Sequence, residues 1–380
     1  MEFIKEYIQN QVKNRRIGIF GTGIKAIIAV GFLENIGIHE YVFFDNDQVK
    51  VGKMFDTKMI LDVSEISKNY FILISTVHFR AISEQLCTLG LEELEDYIWA
   101  LELEYYDALI RWRNEPKVPE ISFSDLEELE RKLSLYVDVE KIDWFDEADF
   151  EKFEQSLGFQ EIYNKQNNKR YRRKIREYYC VERLLKFDEW EKNDTYIDVG
   201  AAESPFAKYL RENKGINAYA LDLKAGRYSE LPYYIQEDAT RMHFKDNEVT
   251  AISLQSSFEM FLGEADMNFI EEAARVLRKG GKVIICPLYL HKQYLSTVSP
   301  NYYHVGGADK DSLECIRLDC RGNVPLGRFY SIAALNERVL KNAKLCVLFP
   351  RIYSLAQNLV EKDGFVYLKF ILCLEKEGRD

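Results

Sequence analysis

No stretch of this sequence stays free of charge for the roughly 20 residues that a membrane-spanning helix needs. The opening residues, Met1-Glu-Phe-Ile-Lys-Glu-Tyr-Ile, carry acids where a secretory signal would place an apolar core. Paired cysteines are missing too. There are seven Cys, an odd number, and none forms a C-x-x-C pair, so neither a disulfide framework nor a structural zinc is expected. Cys286 and Cys373 lie inside strand-like runs, where a thiol packs as a small apolar group. Positive charge is short: 51 Lys and Arg against 62 Asp and Glu give a net charge of -11. Such a surface does not seek a polyanion, so no nucleic-acid partner is expected. These absences together point to a cytoplasmic protein that does not span a membrane. No internal repeat stands out.

Apolar and aromatic residues are plentiful. Hydrophobic residues make up 47% of 380, with 24 Tyr and 23 Phe. That length suits two or three domains, each with its own core. The first begins with an amphipathic helix to about residue 15. Then comes a strand into a glycine turn, Arg16-Ile-Gly-Ile-Phe-Gly21-Thr-Gly23-Ile-Lys-Ala26. Strands follow at Tyr41-Val-Phe-Phe-Asp45, Tyr70-Phe-Ile-Leu-Ile-Ser-Thr76 and Asp96-Tyr-Ile-Trp-Ala100, with a helix at 79–90. Strands alternating with helices imply parallel βαβ units. The expected fold class is α/β: two Rossmann-like parallel-sheet domains, 1–103 and 181–380, joined by a helical, charge-rich linker at 104–180.

Between Glu120 and Glu154 there are 13 acids against four bases, with Leu126, Leu129 and Leu133 at helical spacing, so two or three short bridging helices are expected. The sign then flips: Lys165 to Arg176 carries seven bases and no acid, which reads as a solvated helix face with phosphate contact as the alternative. Beyond Asp194 the alternation returns. Strands are expected at 195–199, 218–222, 233–236, 250–254 and 282–287, and helices at 205–213, 267–277 and 332–341. A loop-rich cap is expected at 288–330. Two strands at 344–349 and 365–375 are expected to close the chain as an antiparallel pair.

The richest stretch is Thr195-Tyr-Ile-Asp198-Val-Gly200-Ala201-Ala202-Glu-Ser204-Pro205, a strand running into a small-residue turn and a helix. Small residues there let a backbone approach a ligand, and an acid at the next strand's tip can hold ribose hydroxyls. Asp222 follows Asp198 by 24 residues, and Asp238-Ala239 follows by 16 more. This ordered set resembles the cofactor edge of class I S-adenosylmethionine (SAM) methyltransferases, over roughly residues 176–376. Ile252-Ser-Leu-Gln-Ser-Ser-Phe-Glu259 resembles the family's fourth strand and its exit, and Glu271 through Gly280-Gly281 its next helix and turn. The resemblance implies SAM as cofactor, bound by Asp198, Gly200, Ala201, Ala202, Asp222, Leu223, Asp238, Ala239 and Gln255. Ser204-Pro205 replaces the usual third glycine, and Ser253 and Gln255 stand where acids are frequent. A proline still fits a helix's first turn.

Methylating an oxygen calls for a proton acceptor near the methyl group. His291, Glu259 and His304 fall after strands four and five and are the catalytic candidates. Asp309 and Asp311 offer oxygens to a cation, but no fixed spacing marks a metal site and none is assigned. Arg317, Arg321, Arg328 and Tyr330 could grip an anionic substrate.

In the first domain, Gly21-Thr-Gly23-Ile-Lys-Ala26 matches G-x-G-x-x-A in its required context, and Asp45 comes 22 residues after Gly23. With Asp47, Gly52 and Ile60 it resembles the small Rossmann-like modules of bacterial surface-polysaccharide enzymes, such as the N-terminal domain of UDP-aminosugar acetyltransferases. That implies a second nucleotide site at Gly21, Gly23 and Asp45, holding a nucleotide-sugar. The reading is a SAM-dependent methyltransferase that O-methylates a small-molecule or glycan acceptor of surface-polysaccharide synthesis. Two alternatives stay open: a non-catalytic nucleotide-sugar scaffold, and an NAD(P)-dependent sugar-modifying oxidoreductase using the first domain. A homo-oligomer also stays open.

Overall fold

The computed structural model describes residues 1–156, 169–224, 229–318, 326–357, 359 and 366–378. Two compact units emerge. The first comprises Met1–Pro116, Ser299–His304 and Ile316–Pro325; the second comprises Lys117–Val298, Val305–Cys315 and Leu326–Asp380.

The first unit holds β1 (Arg16–Phe20), β2 (Tyr41–Asp45), β3 (Met54–Phe55), β4 (Lys58–Asp62), β5 (Tyr70–Ile74) and β6 (Tyr97–Trp99) in the order β3-β4-β2-β1-β5-β6. All neighbours run parallel except the short β3 against β4. The run Tyr70–Ile74 is buried throughout, as a central parallel strand covered on both faces must be. Helices α1 (Glu2–Gln11), α2 (Ala26–Asn35), α3 (Phe79–Thr88) and α4 (Leu103–Arg111) belong to this unit. Helix α2 buries Ala26, Ala29 and Leu33 and leaves Ile27 and Ile28 exposed.

The second unit is built on an eight-stranded sheet. Its strands are β7 (Asp138–Lys141), β8 (Thr195–Val199), β9 (Asn217–Asp222), β10 (Tyr234–Gln236), β11 (Val249–Gln255) and β12 (Leu277–Cys286), then β16 (Leu348–Ser354) and β17 (Phe370–Lys376). A small separate sheet of β13 (Leu295–Val298), β14 (Leu313–Ile316) and β15 (Gly327–Phe329) lies in the expected cap region. The main order is β10-β9-β8-β11-β12-β17-β16-β7. From β10 to β12 the strands are parallel, and β17 is antiparallel to both β12 and β16. Chain direction across the sheet reverses between β8 and β11. Such a switch point leaves a crevice at the carboxyl ends of the strands, where open α/β sheets hold ligands.

Each face of this sheet has its own core. Tyr178 and Val181 of α7 (Lys169–Leu185) and Phe206 of α8 (Phe206–Tyr209) pack on one side. Leu126, Leu129 and Leu133 of α5 (Phe123–Leu133) and Phe269 and Ala273 of α9 (Ala265–Val276) pack on the other. Full burial of one such Leu or Phe contributes about 1.5–3 kcal/mol. A capping box starts α5: the Ser122 hydroxyl accepts from the Asp125 amide, and the Asp125 carboxylate accepts from the Ser122 amide.

The charge-rich linker differs from its reading in two places. Helices α5 and α6 (Glu147–Ser156) form, but between them Asp138–Lys141 is a strand, parallel to β16 with Ile352 opposite Val139. Its residues alternate only weakly, and the partner that makes it a strand lies some two hundred positions downstream. The basic run is also not a solvated face where it can be seen. Lys165 lies outside the described residues, but Arg176 is fully buried, its guanidinium over the Phe145 and Phe150 rings at 5.2 and 4.9 Å. Stacking on aromatic faces suits the weakly hydrated guanidinium.

Candidate active site

The turn after β8 is built for close approach. Gly200 has φ +68, and a Cβ there would stand 2.4 Å from the Ser257 Cβ. Strand ends β8 and β11 therefore meet across the switch point with no room for a side chain. The amides of Gly200 and Ala201 both donate to the Leu221 carbonyl, at 2.8 and 3.1 Å. Ala202, at φ +44, donates its amide to Asp222 Oδ2 at 2.9 Å, and Lys224 donates its amide to Oδ1 at 3.0 Å. The acid at the tip of the second strand thus fixes the turn of the first.

Asp198 is 1% exposed. Burial pushes its carboxyl up to about 7; a hydrogen bond from Ser204 and the Lys174 charge pull the other way, while Asp222 and Glu177 add to the rise. Ser204 Oγ donates to Asp198 Oδ2 at 2.6 Å and accepts from Tyr178 OH at 3.1 Å and the Phe206 amide at 3.2 Å. The serine that replaces the third glycine therefore ties the acid to the start of α8. Asp238 is exposed and accepts from the Thr240 amide and hydroxyl at 2.9 and 2.8 Å, while Ala239 is buried beside it. Leu223 is 66% exposed at the end of β9. Gln255 turns its side chain inward: Nε2 donates to Ser253 Oγ at 2.7 Å and to Tyr196 OH at 3.3 Å, and Tyr196 and Ser253 are bonded to each other. The polar residues that depart from the family pattern in β11 satisfy one another inside the sheet.

Four polar residues at this crevice escape a sequence reading: Lys174, Glu177, Ser256 and Ser257. Glu177 is wholly buried, accepting from Lys174 Nζ at 2.8 Å and from Ser256 Oγ at 2.9 Å. Lys174 also donates to the Gln255 carbonyl at 2.9 Å, where β11 ends. Ser257 Oγ donates to the Val199 carbonyl at 2.8 Å, joining the ends of β11 and β8. The only sequence signal was one acid three residues after a lysine, at the end of a basic run.

The catalytic candidates lie on three different segments. Glu259 is 6% exposed in the turn Phe258–Met260 just past β11. His291 is 3% exposed and its ring nitrogens are engaged: Nδ1 accepts from the Gln293 amide at 3.1 Å, and a ring N–H bonds the Pro119 backbone. Burial is the main cause that holds its acidity constant below the usual histidine value. His304 falls in the first unit, edge-on to Trp112 with ring centroids 5.6 Å apart.

Of the residues suggested as an anion grip, Arg328 and Tyr330 join a buried network instead. Arg328, 2% exposed, bonds Asp309 through Nε at 2.7 Å and Nη2 at 2.9 Å, and donates to the Phe261 and Gly263 carbonyls. Tyr330 OH donates to Asp266 Oδ2 at 2.7 Å, and Arg338 holds the same carboxylate. Tyr294 OH donates to Asp309 Oδ2 at 2.5 Å. Asp309 thereby has both carboxylate oxygens engaged, by Arg328 and Tyr294. Arg317 is 8% exposed and belongs to the first unit, and Arg321 lies outside the described residues. Among the described residues no cluster of His, Cys, Asp or Glu is suited to a metal, and the six described cysteines are free.

Residues 197–285, from the middle of β8 to the end of β12, match the family model of a methyltransferase domain. This stretch is similar to a methyltransferase domain. That match includes the Asp198 turn, Asp222, Asp238, the β11 exit and Glu259, and excludes α7. Among solved structures, this chain resembles a SAM-dependent methyltransferase from Methanosarcina mazei at 13% identity and TM-score 0.34, covering 51% of this chain and 98% of that one. It also resembles the 1,6-didemethyltoxoflavin-N1-methyltransferase of Burkholderia thailandensis, solved with its substrate and S-adenosylhomocysteine, at 9% identity and TM-score 0.37, covering 69% and 94%. A comparison with curated proteins finds no match. No described helix is long and apolar enough to cross a membrane.

In the first unit the turn after β1 is bonded to the end of β2. Gly21, at φ +103, donates its amide to the Phe44 carbonyl at 2.8 Å. The Thr22 amide donates to Asp45 Oδ2 at 3.1 Å, the Thr22 hydroxyl bonds the same oxygen, and Lys50 Nζ reaches it at 3.2 Å. Burial raises the Asp45 acidity constant, but the bonds from Thr22, the Asp47 amide and Lys50 outweigh it and hold it below the usual range. Nothing lies within 4 Å of a Cβ built on Gly23, so this glycine faces open space.

Proposed function

We propose that this protein transfers the methyl group of SAM to an oxygen of a sugar, nucleotide-sugar or glycan acceptor. The observation that carries the cofactor half is the line of acids along the strand ends: Asp198, Asp222 and Asp238 beside a glycine turn that excludes any side chain. Asp222 meets the ribose hydroxyls, and the Asp238-Ala239 pair borders the adenine. Asp198 faces the amino-acid end. Supporting the acceptor half is the presence in one chain of a second Rossmann-like turn, Gly21-Thr22-Gly23 at the end of β1, bonded through Thr22 to Asp45 at the end of β2. The proton acceptor is Glu259, which leaves the fourth strand of the methyltransferase sheet where the acceptor side of such a crevice lies.

Calorimetric titration with SAM, S-adenosylhomocysteine and a panel of UDP-sugars tests this reading, followed by methyl transfer to whichever sugar binds. Absence of binding to both adenosyl ligands by the folded protein would refute it. Two further results are expected. SAM carries a sulfonium and an ammonium against one carboxylate, so it favours ionised Asp198. Its affinity should rise with pH through about 7, by roughly tenfold from pH 6 to pH 8 if only the ionised form binds. Asp198→Asn should bind more weakly and flatten this slope; a slope unchanged in the variant would assign it elsewhere. Glu259→Gln should lower kcat by about a hundredfold or more while leaving the dissociation constant of S-adenosylhomocysteine within about twofold. Equal kcat in both proteins would remove Glu259 from the proton transfer.

A further inference from the structure

The polar groups at the end of β11 are unevenly matched to what they face. Three acids converge on the switch-point crevice: Asp198, Asp222 and Glu177. One lysine joins them, and it comes from α7, outside the residues that match the methyltransferase family. Lys174 is 13% exposed in its side chain and Glu177 not at all. The lysine is fixed rather than waving in solvent, with Nζ 2.8 Å from Glu177 Oε2 and 2.9 Å from the Gln255 carbonyl. An ammonium has three N–H donors, and the described residues take two of them. Glu177 in turn is held from its other oxygen by Ser256 Oγ, so the pair is anchored to the end of β11 rather than only to its own helix. A buried ion pair of this kind contributes little to stability by itself, because both charges lose their water. Its rigid placement is better suited to orienting a third charge.

The geometry points to Lys174 as the residue that recognises the carboxylate of the cofactor's amino-acid end, with Glu177 as its positioning residue. This rests on the SAM reading above and deepens it. The ligand's amino-acid end is a zwitterion. Its ammonium and the sulfonium suit the Asp198 side of the crevice, and its carboxylate needs one fixed cation close by. Lys174 is the described lysine bonded directly to the strand end at the switch point. A charge-assisted hydrogen bond from it would be stronger than a neutral one. Without Lys174, the strand end would keep its three acids and, at 3.8 Å from the Oε1 of Glu177, the more exposed Arg173. Recognition would then favour ligands that lack the acid group.

The test uses the full chain and two ligands that differ by that one group: S-adenosylhomocysteine and its decarboxylated amine. The unaltered protein should bind the amine more weakly, on the order of tenfold or more. Lys174→Met should weaken S-adenosylhomocysteine by a similar factor and bring the two ligands to near-equal affinity, as in a double-mutant cycle. Lys174→Arg should keep most of the discrimination. The proposal is overturned if Lys174→Met weakens both ligands alike, which a purely structural role predicts, or if it leaves S-adenosylhomocysteine untouched. Should the methionine variant fail to fold by circular dichroism, the unaltered protein still decides: equal affinity for acid and amine overturns the assignment. If the unaltered protein binds neither ligand, it is the SAM reading that fails, and Lys174 falls with it.

Discussion

Gly200→Ala is expected to reduce S-adenosylhomocysteine affinity by more than about a hundredfold, because displacing a positioned group by about 1 Å costs on that scale. The added Cβ would sit 2.4 Å from the Ser257 Cβ and 2.8 Å from its Oγ, distances that only a separation of the β8 and β11 ends can relieve. That separation also breaks the bond from Ser257 Oγ to the Val199 carbonyl. The left-handed backbone adds about 1–2 kcal/mol of strain for an L-residue. A control divides the two effects. Gly215 has the same φ of +68, and nothing lies within 4 Å of a Cβ built there. Gly215→Ala should therefore lower the melting temperature by a few degrees and leave affinity unchanged. Ser257→Gly in the Gly200→Ala background removes the clashing atoms and should restore part of the binding. Calorimetry and thermal melts on the four proteins read this out, and equal affinity losses for the two alanine variants would make strain, not the clash, the cause.

Arg328→Met should destabilise the protein by about 3–5 kcal/mol, the cost of leaving a buried partner charge unpaired. The guanidinium binds Asp309 bidentately, lies 3.1 Å from Asp266 Oδ2 and fills two backbone carbonyls. Methionine keeps much of the volume and none of the donors. Burial alone would raise the Asp309 acidity constant, but the Arg328 and Tyr294 bonds more than offset it and hold it below the usual carboxylate value. That depressed constant means the stabilisation is present above the unfolded carboxylate range near pH 4 and disappears as pH falls through the folded value. The gap between unaltered and Arg328→Met protein should thus narrow in acid. Urea unfolding at pH 7 and at pH 3.5 measures it. A substrate-gripping arginine would instead leave stability alone and raise KM, so an unchanged unfolding midpoint would count against the network.

How far the sequence could be read depends on where the forces that decide each element originate. Strands such as Tyr41–Asp45 and Thr195–Val199 were legible to the residue because an unbroken apolar run buried on both faces has few other solutions. The glycine turn was legible because close backbone approach constrains residue type locally, and Asp198 and Asp222 stand at the ends of their strands as the sequence suggested. Lys174 and Glu177 were hidden for the opposite reason. In the chain they sit in a basic run that reads as a solvated face, and only the packing of α7 against the sheet turns them inward. A histidine after the fifth strand suits proton transfer by residue type, but the sequence carried no sign that the His291 ring would bond two backbone groups. Arg328 and Asp309 misled alike: an arginine and an acid in a loop-rich cap suggested ligand contact, yet each is the other's partner. The strand at Asp138–Lys141 carried almost no local signal, since its pairing partner is remote.

That last strand has a consequence in time. Asp138 pairs with Arg351 in the finished sheet. While the chain is being made, at about 5–20 residues per second, residues 138–141 leave the ribosome ten seconds or more before their partner exists. β16, which pairs with both β7 and β17, must be made before the far edge of the sheet can close. Contacts so distant along the chain slow folding, because a large loop must close before they form. Until residues 348–376 have been made, β12 has no antiparallel neighbour and β7 has no partner strand.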